Sequence, residues 1–323
     1  MRVPLRPADD EGKPGVNARR RLIRLATFSM GTRFEFVLVG DDEVRLRAAG
    51  EQAIIEVEDL HARLSCFSRA SIVSHLNRHG FPGPVAVDRE TFDLLALARD
   101  VWCDSDGAFD ITIAPLMHTL GFRKGGSLQL DGVHPIGMNL IELDDAACTM
   151  RFTQPGVAMD LGAIAKGYAL DRAAEILREA GIDCALLHGG TSTVVAIGCP
   201  FESSGNGGWR VRVHDDVEPR DVILCDEAMS VSAPRGRVIE RDGAAIGHVV
   251  DPRTKDAAVG AICAAVISSS AAVADAWSTA LVVTGARPGA MPESIRSVMR
   301  IGTGWVEHFS DEHRAGTRME AVA

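Results

Sequence analysis

The stretch Asp160-Leu-Gly-Ala-Ile-Ala-Lys-Gly-Tyr168, with the run that follows it to Gly190, decides how this chain is read. It places an acid, a glycine-flanked backbone and a lysine just ahead of an amphipathic segment. Ala165, Ala169, Ala173, Ile176, Leu177 and Ala180 then recur at helical spacing until Gly181 stops the run. Asp183 to Leu187 reads as a strand, and Gly189-Gly190 follows it. Such a unit can hold an anion, phosphate above all. The N–H groups entering a helix are free donors at the positive end of its dipole, Gly162 and Gly167 allow close approach, and Lys166 adds a point charge. The same residues also fit a tight loop that caps a packing helix. Neither Gly-x-x-x-x-Gly-Lys-Ser/Thr nor Gly-x-Gly-x-x-Gly after a strand is present, so a second constellation must decide.

Outward from this unit, helices and strands continue in no strict alternation. Thr27 to Val39 alternates around Met30-Gly31-Thr32 and puts Phe34, Phe36 and Leu38 on one strand face. Val44 to Leu64 is a helix with Ala53, Val57, Leu60 and Leu64 on one stripe, and a loop from Ser65 to Ser71 follows. Asp88 caps a helix from Arg89 to Cys103, with Leu94, Leu95, Ala98, Val101 and Trp102 inward. Gly125 to Pro155 is a turn-rich hairpin region. Ser192 to Ile197, Trp209 to His214 and Ile246 to Val250 are strands, and Ser269 or Ser270 caps a last helix, Ala271 to Val283, ended by Gly285. Runs of strands with a few long helices indicate α+β. We expect a mobile arm over 1–20, a single domain over 21–310 and a tail over 311–323.

The 323 residues carry 46% hydrophobic and 24% charged side chains, ordinary for a globular chain with a real core. A net charge of -10 excludes a nucleic-acid surface, which needs a basic face. The one basic run, Arg19 to Arg21 with Arg24, reads as a solvated strand edge. Seven cysteines (66, 103, 148, 184, 199, 225 and 263) are scattered with no Cys-x-x-Cys, which predicts neither a zinc site nor a disulfide framework. Within Ala261-Ile-Cys-Ala-Ala-Val266 a buried, reduced thiol is expected. The polar N-terminal stretch lacks a signal-peptide core or a lipid-attachment cysteine, so cytoplasmic is the default, and no apolar run reaches the length of a membrane span.

Three further constellations could carry chemistry. In Ala274-Asp-Ala-Trp-Ser-Thr279, Asp275 and Thr279 lie one turn apart on one helix face, a carboxylate and a hydroxyl suited to Mg²⁺, with Ser278 on an adjacent face. The alternative is a threonine bonding back to its own helix and an acid favoured by the dipole. In Gly247-His-Val-Val-Asp-Pro-Arg-Thr254, His248 is a candidate general base or a satisfied strand histidine, and Asp251 starts a turn. Gly107-Ala-Phe-Asp110 places an aromatic and an acid together ahead of the strand-like Ile111-Thr-Ile113. There Phe109 also fits the core, and Asp110 fits a cap.

Taken in order, these motifs resemble the ApbE family of FAD:protein FMN transferases. The resemblance rests on Met30-Gly-Thr32, Phe67-x-x-x-Ser71 leading to Leu76-Asn77, Gly107-Ala-Phe-Asp-Ile-Thr112 with Pro115-Leu116, Asp160 to Tyr168, Gly189-Gly190, His248 to Thr254 and Ala274 to Thr279. It implies a T-fold-like α+β architecture of two related β/α halves with the ligand cleft between them. Met30 and Phe67 would flank the flavin, and Ala108, Phe109 and Asp110 would contact the dinucleotide. Asp160 and Lys166 would hold FAD, and Val249 would touch it through main chain. Mg²⁺ would take the Ala163 carbonyl, Asp275 and Thr279, with Ser278 nearby, and His248, Lys166 and Asp275 would be catalytic. The implied reaction moves FMN from FAD to a Thr or Ser of an acceptor flavoprotein with release of AMP. FAD hydrolysis to FMN and AMP and non-catalytic FAD binding are the alternatives. Phe67 stands where the family pattern has tyrosine, Thr191 where an acid or amide is usual, and Val231-Ser-Ala-Pro234 where a Thr-Ser-Gly-like element is usual. Lys255 replaces a glycine that would serve a positive φ or a close approach.

Overall fold

The computed structural model describes residues 20–122, 135–200, 207–214, 218–234, 238–241, 244–309 and 320–321. In chain order the strands are β1 (Arg21–Ser29), β2 (Thr32–Gly40), β3 (Val85–Ala86), β4 (Ile141–Asp144), β5 (Thr149–Phe152), β6 (Ala185–Gly189), β7 (Thr193–Ile197), β8 (Trp209–Val213), β9 (Arg220–Leu224), β10 (Ala228–Ser232), β11 (Val238–Arg241), β12 (Ala244–Gly247), β13 (Cys263–Ser268), β14 (Arg296–Ile301), β15 (Gly304–His308) and β16 (Glu320–Ala321). The helices are α1 (Glu43–Leu64), α2 (Ile72–His79), α3 (Arg89–Asp104), α4 (Ala114–Thr119), α5 (Ala165–Glu179) and α6 (Ala271–Thr284).

Eight strands form one antiparallel sheet in the order β1-β2-β6-β7-β10-β13-β14-β15. Its first four strands carry α1 and α5, its last four carry α6, and α5 packs against α6. The two halves meet where β7 pairs with β10, with Thr193 opposite Ser230. One core lies between the helices and the sheet, around Phe34, Phe36, Leu60, Leu170 and Trp277. A second lies on the opposite face, where Leu186, Val194 and Met229 meet Trp209, Val211 and Val222 of β8 and β9. The inner strands β2, β6, β7, β10, β13 and β14 therefore feed two cores through their alternating side chains. The architecture is α+β.

Local chemistry explains the boundaries. Met30 and Gly31, both at positive φ (49° and 72°), form the two-residue turn that the right-handed twist of a hairpin prefers. Asp42, Ser71, Asp88 and Ser270 accept backbone N–H groups at the starts of α1, α2, α3 and α6. Gly285, at φ 63°, ends α6. Helix α6 is buried almost all round, as an apolar segment between a sheet and other helices must be.

Several expectations need correction. Ile111-Thr-Ile113 is a turn with one isolated bridge, Ile113 to Ala158, and α4 follows at once. Short α2 was not anticipated from the sequence: Ser71 caps its start, and Val73 and Leu76 are buried. Cys199 and Cys225 form a disulfide with Cα atoms 5.6 Å apart. Pairing of β7 with β10 brings their flanks together, which spacing along the chain does not reveal. Cys263 is buried and outside any disulfide, as expected. The expected arm and tail lie outside the described residues, except for Arg20 and Glu320–Ala321, which pairs with β9. No helix among the described residues is long and apolar enough to cross a membrane.

Candidate active site

The loop before α5 and the middle of α6 meet above the β7–β10 pair. Lys166 Nζ donates to Asp275 Oδ2 at 3.2 Å and to the Gly162 carbonyl at 3.2 Å, and the Gly167 N–H also reaches Asp275 Oδ2 at 3.2 Å. Ser230 of β10 donates to Asp275 Oδ1 at 3.0 Å. Because Ser230 gives its one proton to the carboxylate, Thr193 of β7 is the donor in their 3.1 Å contact. The buried Asp275 thus has both oxygens engaged, as a carboxylate removed from water requires. Ser278 and Thr279 donate to the Asp275 carbonyl at 2.9 and 3.2 Å, so the back-bonding alternative for Thr279 holds in this structure. Ser232 lies 2.8 Å from Ser278 Oγ and 3.3 Å from Thr279 Oγ1. Ser232, Ser278 and Thr279 thus add three hydroxyls to those of Thr193 and Ser230 around one carboxylate and one ammonium.

The approach to this cluster is built by residues distant in sequence. Asn77 at the end of α2 grips Met159 with both amide atoms, at 2.9 and 2.7 Å. The next residue, Asp160, donates its N–H to the Ile111 carbonyl at 2.7 Å, and its side chain accepts the Gly162 N–H at 2.8 Å. This arrangement joins the Asp160 loop to the Gly107–Asp110 turn. Asp110 accepts both the N–H and the hydroxyl of Thr112, at 2.7 and 2.6 Å; burial pushes its pKa up against those bonds. Ala108 and Phe109 are fully buried, and their N–H groups go to Ser105. Phe109 is therefore part of the core. Arg253 packs over Gly107, where an added Cβ would lie 3.7 Å from its Cγ, and its guanidinium grips Asp251 at 2.9 and 2.8 Å. Burial opposes the charge on Asp251, yet these bonds hold its pKa below the usual carboxylate value.

The remaining expected residues sit on surrounding turns. Met30 donates its N–H to His61 Nδ1 at 2.6 Å, which docks the β1–β2 turn on the last turn of α1. Phe67, 46% exposed, follows that helix by three residues. Next to the hairpin, Gly190 lies so close to Thr32 that a side chain there would collide with it. His248 is half-buried just after β12, and Val249 is buried. The Val249 carbonyl accepts the Ala258 N–H at 3.0 Å and keeps a second lone pair. Ala163 is half-buried in the loop before α5. Lys255 has φ 66°, the conformation expected of the glycine it replaces.

Comparison with known proteins fits this geometry. The profile of the ApbE family matches residues 30–295. The chain belongs to the ApbE family. A FAD:protein FMN transferase of Rhodobacter capsulatus is 32% identical over 250 residues, covering 73% of this chain and 46% of that protein, so the chain spans about half of that relative's length. One of Escherichia coli K12, of the same name, is 24% identical over 312 residues, covering 90% of this chain and 85% of that one. The ApbE protein of Thermotoga maritima superposes with a TM-score of 0.77 at 25% identity, over 92% of this chain and 100% of that one. The flavin transferase ApbE of Vibrio cholerae gives 0.76 at 21% identity, over 91% and 99%.

For this ApbE chain, sequence reasoning named Lys166, Asp275, Ser278 and Thr279 but gave no role to Thr193, Ser230 or Ser232. Their signal was available: in Ala228-Met-Ser-Val-Ser232 small hydroxyls alternate with apolar residues, which puts serines on one face of a strand. At Gly167 the packing alternative holds: its missing side chain lets the Ala271 carbonyl of α6 approach α5.

Proposed function

We propose that this chain is a transferase that moves FMN from FAD to a Thr or Ser hydroxyl of an acceptor flavoprotein and releases AMP. The observation that carries the reading is the 3.2 Å contact between Lys166 and Asp275, 109 residues apart, at the seam of the two halves and beside three hydroxyls. The names of the relatives supply the substrate class.

Phosphoryl transfer depends mainly on positioning and charge neutralisation. The Ala163 carbonyl, Asp275 and Thr279, with Ser278 beside them, are the residues that would hold Mg²⁺. All are oxygen donors, and a hard cation with few protein ligands completes its shell from phosphate and water. One carboxylate in the set agrees with the lack, among the described residues, of any cluster of three or more His, Cys, Asp or Glu suited to a metal. When bound, the ion neutralises charge on the pyrophosphate. Lys166, anchored by Gly162 and Asp275, is a fixed positive charge for a phosphate oxygen. His248 takes the proton of the acceptor hydroxyl as its oxygen bonds to the FMN phosphorus. The bond from that phosphorus to the bridging oxygen breaks, and AMP leaves with that oxygen.

Met30 and Phe67 flank the flavin in this reading, and Ala108, Phe109 and Asp110 contact the dinucleotide through the turn they form. Cytoplasmic placement, expected above, stands against the Cys199–Cys225 bridge, since such bridges persist in oxidising compartments. The redox state of that pair in cells decides between them.

The test is to incubate the protein with FAD, Mg²⁺ and a candidate flavoprotein acceptor, and to measure AMP and covalent flavin on the acceptor. Both products are expected, in equal amounts and only with Mg²⁺. AMP with unlabelled acceptor would make the protein a FAD pyrophosphatase, and neither product would leave a FAD-binding protein.

A further inference from the structure

The site requires α5 and α6 to be held in one relative position, because Lys166 begins the first and Asp275 and Thr279 lie on the second. Two residues of α5, one turn apart, make that junction. At Gly167 the helices touch backbone to backbone: a Cβ there would run into the carbonyl of Ala271. At Asp171 the contact is polar. Its Oδ1 accepts the Ala271 N–H at 2.7 Å, and its Oδ2 accepts the Ala272 N–H at 2.9 Å and the Ser270 hydroxyl at 2.7 Å. Ser270 in turn caps Val273 at 3.3 Å.

The first turn of α6 is therefore capped by a carboxylate from another helix, and negative charge there is favoured by the dipole. One turn later on the same helix comes Asp275, whose Oδ2 accepts the Gly167 N–H. Asp171 and Gly167 thus clamp α6 at both ends of one turn, and the second end is the site itself. We infer that Asp171 is a positioning residue: it fixes α6 against α5 and so sets the spacing of Asp275 and Thr279 from Lys166 on which cation binding depends. This rests on the transferase reading given above.

The experiment uses Mn²⁺ as the probe ion, read by its EPR signal with saturating FAD, together with FAD affinity measured without metal. Asp171→Asn keeps the size but turns an amide N–H toward donors already there. It is expected to weaken Mn²⁺ about tenfold, the lower end for residues that orient metal ligands, and to leave FAD affinity within about twofold. Leu60→Ala, a cavity in the same core on α1, controls for stability and is expected to change neither affinity by more than about twofold despite an equal or larger loss of stability. Ser270→Ala, which removes one of the three bonds to Asp171, should weaken Mn²⁺ by about two- to threefold and serves if Asp171→Asn does not fold. Wild-type Mn²⁺ affinity in Asp171→Asn, or equal weakening in Leu60→Ala, would overturn the positioning role. Failure of the wild-type protein itself to bind Mn²⁺ with FAD would instead overturn the transferase reading.

Discussion

Strands β7 and β10 present two unlike surfaces. Toward the helices, Thr193 and Ser230 form a chain of hydroxyls ending on Asp275, and Ser232 continues it to Ser278 and Thr279. Toward β8 and β9, the intervening Val194, Ala196 and Met229 pack in a dry core. Both surfaces are buried, so burial alone does not distinguish them. A buried carboxylate with its hydroxyl and ammonium partners is at best weakly stabilising, whereas buried apolar side chains contribute about 1.5–3 kcal/mol each. In the proposed function the polar patch of the helix-side face serves chemistry, and the opposite face serves cohesion.

The largest effect that could break this contrast comes from one substitution on each face. Asp275→Asn keeps the shape and an acceptor for Ser230 but removes the charge that faces Lys166 and that, in the proposed function, would serve as the hard ligand. FMN transfer is expected to fall about 1000-fold or more, matching the several kcal/mol a bound cation supplies. Met229→Ala, on the other face of the strand that carries Ser230, should cost about 2–5 kcal/mol of stability. At a temperature where both proteins are folded, its turnover should stay within about twofold of wild type. Denaturant unfolding and AMP release, measured on both variants, give the check. A catalytic loss in Met229→Ala comparable to that in Asp275→Asn would mean that the two faces are not separate.

The contrast also explains what could be read in advance. Helix positions three or four apart are neighbours by geometry alone, so Asp275 and Thr279, the stripe of α1 and the Asp88 cap were legible from local spacing. The network around Asp275 was not, because it depends on strand register. Thr193 faces Ser230 only when β7 pairs with β10, and nothing in either segment names its neighbour. The same non-local pairing brought Cys199 to Cys225 and misled the reading of scattered thiols. The role of Gly167 and Asp171 was hidden for another reason. It lies in a contact between two helices, whereas the sequence showed only a glycine and an acid near a plausible phosphate loop.

His188 sharpens the contrast from the apolar side. By strand alternation it shares the outer face with Leu186, and the attraction of Glu35, paired across from it on β2, does not offset desolvation, which lowers its pKa from 6.5 to about 4. Between those values the unfolded chain binds a proton that the native protein does not. This contribution to stability is therefore full above pH 6.5, falls as pH drops through this window and is lost below about pH 4, on the order of 3 kcal/mol in all. His188→Leu should remove most of that slope when denaturant unfolding is compared at pH 7 and pH 4.5. The buried carboxylates Asp110 and Asp171 titrate with the opposite sign, but they are common to both proteins and cancel in the difference. An unchanged slope would mean that His188 is hydrated, and that the outer face is less dry than its neighbours indicate.

The smallest effect is expected where neither face selects the side chain. Lys255 closes the turn after Asp251 by donating its N–H to the Asp251 carbonyl at 2.8 Å, and it does so at φ 66°. Relief of left-handed strain in Lys255→Gly is worth about 1–2 kcal/mol. Against it stands the greater freedom that glycine loses on folding, about 0.5–1 kcal/mol. The two nearly cancel, so this variant should be stabilised by less than about 1 kcal/mol, with turnover close to wild type. Lys255→Val separates backbone from side chain. A β-branched residue is strongly disfavoured at positive φ, and it should cost about 1–2 kcal/mol more than the glycine variant. If valine proved neutral by denaturant unfolding, Lys255 would have to lie outside the left-handed region. If it is as costly as expected, the turn selects for backbone alone, unlike either face of the sheet.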